Sequence, residues 1–409
     1  MAGIYIHIPF CKSKCGYCGF YSLPSLKLKD AFLEALKAEI VERKDYLQRR
    51  RHCGLDPQSP VLENSSAQPT INTIYFGGGT PSLLSIAEIE DLLLLINKHY
   101  SIASNAEITL EANPDTLSLE YLQGLRSIGI NRLSIGIQSF FDNDLQYLGR
   151  RHDSHHARQC LNWAKQVGFD NISIDLIYGL PTSNAEQWNK NLDIFFAYDI
   201  PHLSAYALTL EPNSILTKQI EQGKALPVID DDALRDYNIL CQRAKENGFL
   251  HYEISNFCKM GMHSKHNASY WFGTHYLGLG PSAHSYDGTS RQWNIANMEK
   301  YIDTRRETAR LRDQNVSCPE VPCPASEKEE LTSEQLYDEY VMLRLRTHWG
   351  IDLKYMKREM GERFSIYCEQ HAQPLITQGR LSQTREFLYL TDAQMLFADG
   401  VAEELFWES

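Results

Sequence analysis

Three cysteines, Cys11, Cys15 and Cys18, fall within eight residues of F-C-K-S-K-C-G-Y-C-G-F, and no fourth follows: Phe20 stands two positions on. The thiolate is the form of cysteine that binds metals and attacks disulfides. Three close thiols therefore point to metal or redox chemistry. A structural zinc site needs four ligands, commonly as paired C-x2-C elements. Neither a second pair nor a His-x3-5-His follows at suitable spacing, and Cys318 and Cys323 form only a C-x4-C in a proline-rich stretch. A redox pair of Cys15 and Cys18 leaves Cys11 without a part. A [4Fe–4S] cluster bound by three thiolates uses all three and leaves one iron open to an exchangeable ligand. The cluster is the reading that employs every thiol.

Other polar groups fall in positions that suit ligand binding. T-I-Y-F-G-G-G-T-P-S places Gly77, Gly78, Gly79 and Thr80 directly after an apolar run. Glycines permit positive φ and close backbone approach, so this turn is expected to offer N–H donors to a ligand. A plain tight turn is the bland alternative. Glu111 in L-E-A-N-P-D, Gln138 in S-I-G-I-Q-S-F and Asp175 in I-S-I-D-L-I-Y-G-L-P each stand at or near the end of an apolar run. One such carboxylate often just caps a helix. Three groups on one rim gather a ligand.

The elements that must position them alternate. Short apolar runs at 3–8, 73–76, 106–110, 132–137, 171–177 and 202–208 read as strands. Stretches of helical spacing at 26–48, 85–99, 118–127, 154–166, 185–197 and 231–247 separate them, with Ser85 and Glu88 forming a capping box. Six strands alternating with helices predict an α/β fold with a parallel sheet of right-handed βαβ units. Six units fall short of the eight of a closed barrel, so an open, partial (β/α)6 barrel is expected. Residues 1–310 then make the barrel, with a flexible insertion at about 49–70. Residues 311–331 make a linker. Residues 332–409 make a small domain of helices at 332–346, 353–364, 366–378 and 393–405 around a β-ribbon, a winged-helix-like order. Its mixed charge gives no basic stripe for DNA.

With these motifs in place, the chain resembles the radical S-adenosylmethionine superfamily. It is most similar to the branch of oxygen-independent coproporphyrinogen III oxidases and HemW-type heme chaperones. Y-I-H-I-P-F-C, G-G-G-T-P-S, S-I-G-I-Q-S-F, I-D-L-I-Y-G-L-P and the small C-terminal domain carry the resemblance over nearly the whole chain. It implies that Cys11, Cys15 and Cys18 bind a [4Fe–4S] cluster and that S-adenosyl-L-methionine (SAM) occupies the open iron. It implies SAM contacts at Tyr5, Tyr17, Gly78, Gly79, Thr80, Glu111, Gln138, Arg150, Asp175 and Ala207. In that scheme Gly79 and Thr80 meet the amino or carboxylate group, Glu111 and Asp175 accept from hydroxyls or the ammonium, and Arg150 pairs with a carboxylate.

Two features separate the members of that branch. The oxidases typically carry a further cysteine where this chain has Phe20, and the chaperones have an aromatic there. K-H-N-A-S-Y-W resembles the H-N-x-x-Y-W motif of heme handling, which makes His266 a candidate heme ligand beside Tyr270 and Trp271. A satisfied structural histidine is the alternative. The resemblance therefore implies a heme chaperone that passes heme to an acceptor protein, with oxidative decarboxylation of coproporphyrinogen III as the alternative and a zinc-stabilised structural protein as a further one. His7 is expected beside the cysteine loop. His152, His155 and His156 are expected to be solvated first-turn histidines behind an Asp153 or Ser154 cap.

Composition agrees with a soluble globular chain. Of 409 residues 43% are hydrophobic and 22% charged, and the formal charge of −12 disfavours nucleic acid as a partner. No apolar run reaches the length of a membrane span, and the N-terminus lacks a secretory signal pattern. A cytosolic protein is expected, with free thiols rather than disulfides at Cys53, Cys160, Cys241, Cys258 and Cys368. Transient contact with a membrane heme protein remains compatible with that.

Overall fold

The computed structural model describes residues 2–48, 69–212, 214–313 and 326–408. The insertion expected near 49–70 falls almost wholly outside the described residues, as does most of the expected linker. Six parallel strands, β1 (Ala2–Ile8), β2 (Ile71–Gly78), β3 (Ile102–Ala112), β4 (Arg132–Gln138), β5 (Ile172–Tyr178) and β6 (His202–Ala207), lie side by side in chain order. An order that always adds the next strand on the same side winds a barrel, because each right-handed crossover leaves its helix on the same face.

Side-chain alternation shows what each face does. Ile4, Ile6 and Ile8 of β1, Phe76 of β2, Leu110 of β3, Leu133, Ile135 and Ile137 of β4, Ile174 and Leu176 of β5 and Leu203 of β6 are fully buried. They pack outward on helices, for example on Phe32, Leu36 and Ile40 of the Lys29–Glu42 helix. The intervening residues face the lumen and are polar or aromatic. They include Tyr5 and His7, Tyr75, Glu111, Ser134 and Gln138, Ser173 and Asp175, and Ser204 and Tyr206. The apolar face thus drives folding and the lumen is left for chemistry.

Six further strands extend the sheet: β7 (Leu250–Glu253), β8 (Asn256–Cys258), β9 (Tyr276–Leu279), β10 (His284–Tyr286), β11 (Ser290–Asn294) and β12 (Ser326–Glu330). The order is β12-β11-β10-β9-β1-β2-β3-β4-β5-β6-β8-β7, with β9 parallel to β1 and β8 antiparallel to β6. The strand β12 departs from the linker expected over 311–331. S-E-K-E-E carries no apolar alternation, and its strand form comes from pairing with the edge of β11, Ser290 opposite Glu330 and Asn294 opposite Ser326.

The C-terminal unit has its own core, centred on Tyr337, Val341, Phe364, Cys368 and Leu388. Helices Ser333–Leu345, Leu353–Glu359 and Glu362–Thr377 surround a three-stranded sheet, Ile351–Asp352, Ser382–Gln383 and Phe387–Tyr389. This is the expected winged-helix order. Its second helix stops at Glu359, short of the expected 364, because Gly361 takes φ 106° and breaks the turn. The last helix begins with a 3-10 turn at Met395–Phe397 and runs Ala398–Glu403, shorter than expected.

Candidate functional site

The cysteine loop leaves the carboxyl end of β1 and is tied down at several points. The Cys11 N–H donates to Leu23 O (3.0 Å) and the Leu23 N–H to Pro9 O (2.7 Å). Gly16 donates to Leu148 O (3.3 Å) and accepts from the Leu216 N–H (2.8 Å). A turn bond from the Cys18 N–H to Cys15 O (3.3 Å) closes the loop. All three thiols are free and half-exposed.

Donors from other strands already point at two of the sulfurs. The Thr80 hydroxyl donates to Cys11 Sγ (3.6 Å), and Arg150 Nη1 donates to Cys15 Sγ (3.3 Å). Asn113 joins them: its Nδ2 donates to Thr80 Oγ1 (3.0 Å), and its Oδ1 accepts from Arg150 Nη2 (2.6 Å). Arg150 Nη2 also donates to Gly136 O (2.9 Å). These contacts fix the positions of two of the three sulfurs. Burial pushes the Cys18 thiol up, and the neighbouring Cys15 and Cys11 add to it. A bound iron would offset that. Among the described residues, no three His, Cys, Asp or Glu side chains gather closely enough to hold a single ion. Three thiols on one loop, two of them already contacted by a hydroxyl and a guanidinium, are a donor set that fits an iron–sulfur cluster.

The Arg150 guanidinium lies on Cys15, Asn113 and Gly136. The glycine turn is bonded within the chain. Its N–H groups are in use: Gly78 donates to Glu111 Oε2 (3.1 Å) and Gly79 to Ile8 O (2.9 Å). Glycine is required there by packing. A Cβ on Gly78, which has φ 109°, would stand 2.7 Å from the His7 ring, and one on Gly79 would stand 2.6 Å from Phe10 O. The turn clamps the start of the cysteine loop.

Below the rim, Glu111 accepts from the Tyr75 hydroxyl (2.8 Å) and from Gly78. Burial, with the Asp175 charge adding to it, pushes its carboxyl up to about 7. Asp175 sits three residues before the end of β5, deeper than a rim position, and accepts from the Ser134 hydroxyl (3.4 Å). Burial holds it at about 6. Two carboxyls close to neutrality in one lumen are poised for a cationic ligand. Tyr5 lies over Tyr75, with ring centroids 6.1 Å apart. Gln138 ends β4 at φ 67°, a conformation that a non-glycine residue rarely adopts. Tyr17 packs near Arg150, and Ala207 ends β6 at the same rim. Sequence reasoning did not single out Asn113 or Tyr75. Both stood in quoted motifs, and each becomes informative only as the partner of Thr80 and Arg150 or of Glu111.

The histidines divide. His7 Nε2 bonds Tyr21 O (2.9 Å) and Nδ1 bonds the Tyr5 hydroxyl (3.2 Å), so it braces the rim. His155 and His156 are exposed, behind the Asp153 cap. His152 departs from expectation: it is 3% exposed, bonds Ile137 O (3.0 Å), and burial lowers it to about 4. His266 lies at the other end of the barrel, beside Gly3 and Thr73, near the amino ends of β1 and β2. Both ring nitrogens are taken, by Thr73 Oγ1 (2.8 Å) and by the Tyr270 hydroxyl (2.9 Å). The ring is 1% exposed and stacks on Tyr75 at 4.9 Å. Burial depresses it to about 3. From Gly3 to Ile8 the strand alone spans about 17 Å, so His266 and the thiols face opposite mouths.

A partial barrel with three free thiols at its carboxyl rim, and a carboxylate-lined lumen beneath, defines a protein of the radical SAM type. Residues 5–194 match the radical SAM superfamily, and residues 331–397 match the HemN C-terminal domain. The chain is 32% identical over 405 residues to the heme chaperone HemW of Bacillus subtilis, covering 98% of each. It is 31% identical over 410 residues to the heme chaperone HemW of Mycobacterium tuberculosis, covering 98% of this chain and 94% of that one. Among solved structures it superposes on the coproporphyrinogen III oxidase HemN of Escherichia coli with a TM-score of 0.78. That pair is 22% identical, covering 99% of this chain and 90% of the other, a likeness of fold. The chain belongs to the HemW family of the radical SAM superfamily.

Proposed function

We propose that the protein is a heme chaperone that carries a [4Fe–4S] cluster on Cys11, Cys15 and Cys18, binds SAM, and delivers heme to an acceptor protein in the cytosol. The observation that carries this reading is the end-to-end match, 98% of this chain, to proteins named heme chaperones. When bound, the cluster supplies an open iron coordination site and one-electron chemistry for SAM. The chain's own residues do the rest. Thr80 and Arg150 hold thiolates in place, Asn113 fixes both donors, and Glu111 and Asp175 receive the positive end of SAM. Tyr5 and Tyr75 shield that lumen from water. Phe20 is 69% exposed where the oxidase resemblance expects a cysteine, which favours the chaperone over the decarboxylase.

The test uses cluster-loaded protein. Titration with hemin is expected to give a saturable Soret band and transfer to an apo-heme acceptor. Incubation with SAM, reductant and coproporphyrinogen III is expected to yield no protoporphyrinogen IX. Turnover in the second arm overturns the reading, as does absence of heme binding in the first.

The lumen carboxyls give SAM binding a pH dependence. Their ionised forms favour a cationic ligand, so affinity should rise as pH climbs through about 6 and about 7. Each group contributes at most about tenfold per pH unit. Glu111→Gln should remove the upper step and leave the lower. Calorimetric SAM titrations from mildly acidic to mildly alkaline pH measure this; a flat profile in the parent protein refutes it.

A further inference from the structure

The Asp175 carboxyl stands at the head of a chain of four buried side chains, Ser204, Ser173, His202 and Tyr252. Ser173 and Asp175 alternate along β5, and His202 and Ser204 along β6, so the pleat turns all four to the lumen. The parallel register sets Ser173 opposite His202 and Asp175 opposite Ser204. His202 Nδ1 bonds the Ser173 hydroxyl (2.7 Å), and Nε2 bonds the Tyr252 hydroxyl of β7 (2.7 Å). Ser173 Oγ lies 3.3 Å from Ser204 Oγ. Ser204 hydrogen-bonds the Asp175 carboxyl, as does Ser134 of β4 (3.4 Å).

The chemistry of these groups sets a direction. An ionised carboxylate only accepts hydrogen bonds, and each hydroxyl has one proton to donate. When Ser204 donates to Asp175 it must accept from Ser173, and Ser173 must accept from His202. The ring then carries its proton on Nδ1, and Nε2 accepts from the Tyr252 hydroxyl. With the proton on Nε2 instead, Ser173 donates to Nδ1, Ser204 donates to Ser173, and Asp175 loses a donor. Either arrangement needs a neutral imidazole. Burial, then the charges of Arg132 and His263, hold His202 well below its usual range. Burial pushes the Tyr252 phenol far up, so it keeps the proton it donates. Hydrogen bonds in such a row polarise one another.

Other groups face the same carboxyl. Arg150 and Arg132 favour its anion, and Glu111 shares the lumen as a like charge. The phenols of Tyr17, Tyr75 and Tyr206 are pushed far up by burial and stay neutral. Burial still raises Asp175 to about 6, and the two serines work against that rise.

We infer that His202 is a positioning residue of the SAM site: with its proton on Nδ1 it orders Ser173 and Ser204 as donors and holds Asp175 ionised for the ligand. The inference rests on the reading of this lumen as a SAM site and adds a residue that acts through two serines.

SAM calorimetry on cluster-loaded protein, from mildly acidic to mildly alkaline pH, compares the parent with His202→Phe, His202→Asn and Ser173→Ala. Phe keeps a ring and removes both nitrogens. The Asn amide restores an N–H donor near the place of Nδ1. His202→Phe and Ser173→Ala are expected to lift the lower step by about one pH unit, so that SAM binds up to about tenfold more weakly on the acid side and as in the parent on the alkaline side. His202→Asn should keep the parent's midpoint. A parent-like profile in folded His202→Phe overturns the inference. So does an equal loss at every pH in His202→Phe and His202→Asn, which marks a purely structural role. Where circular dichroism shows His202→Phe unfolded, Ser173→Ala makes the same comparison, and an unmoved lower step there overturns the inference. Nitrogen NMR of the histidine-labelled parent, with the His202 signal assigned by its loss in His202→Asn, reads the ring without SAM. A neutral ring protonated on Nδ1 is expected, and one protonated on Nε2 overturns the inference. Absence of SAM binding by the parent at every pH defeats the SAM-site reading itself.

Discussion

Cys15→Ala is expected to bring bound iron and acid-labile sulfide from about four of each per chain to below one after anaerobic reconstitution. SAM binding should disappear with them. The reason is geometric. Cys11, Cys15 and Cys18 share one loop, tied to Leu23, Leu148 and Leu216, so a lost thiolate cannot be replaced by a nearby side chain. Cys11→Ala and Cys18→Ala should behave alike. Cys160→Ala should not, because that thiol is buried in the core, bonds Ala157 O, and is pushed up to about 12 by burial. Arg150→Lys separates positioning from ligation. It keeps a cation but loses the fork that reaches Cys15, Asn113 and Gly136 at once. Outer contacts of this type typically change metal affinity about 10–100-fold, so Arg150→Lys should assemble a cluster that is lost faster to a chelator. Full cluster content in Cys15→Ala would refute the assignment.

Glu39→Ala is expected to cost about 3–5 kcal/mol of stability, the usual consequence of removing one partner of a buried ion pair. Glu39 is fully buried in the Lys29–Glu42 helix and accepts from Arg305 Nη2 (2.7 Å), the Tyr301 hydroxyl (2.7 Å), Asn294 Nδ2 (2.7 Å) and the Gly280 N–H (2.8 Å). Without it the Arg305 guanidinium, itself 1% exposed, loses a fully buried counter-charge and keeps its contact with the partly exposed Glu42 (2.9 Å). The damage reaches the site. Gly280 packs so closely under His7 that a Cβ would stand 2.5 Å from His7 O, and His7 braces Tyr5 and Tyr21. Urea unfolding should show the loss, and cluster retention should fall with it. Glu39→Gln, which keeps the volume without the charge, should lie between. A change under about 1 kcal/mol in Glu39→Ala would show that the network does not carry the barrel's closing edge.

The contrast between these two sites shows what was legible. The cysteine loop was readable because it is local: three thiols on one loop need only spacing, and spacing is written in the chain. The strand order was readable because apolar runs alternating with helices allow few right-handed arrangements. The β12 strand was not, since S-E-K-E-E becomes a strand only through the backbone of β11. The helices 353–359 and 398–403 came out shorter than their periodicity suggested, because one glycine and one 3-10 turn set their ends.

Residue types near the rim were legible; their partners were not. Nothing local tells Arg150 to lie on Cys15, 135 residues away, or Thr80 on Cys11, 69 residues away. Nor does it tell Gly78 and Gly79 that their task is to make room for His7 and Phe10. The H-N-x-x-Y-W motif makes the same point. Sequence marks His266 as a ligand type, and only the fold reveals that Thr73 and Tyr270 already hold both its nitrogens. The sequence by itself determined the thiol loop, the alternation of strands and helices, and the family. The tertiary structure decided which polar groups are bonded, buried or left open, because those depend on contacts between segments far apart in the chain.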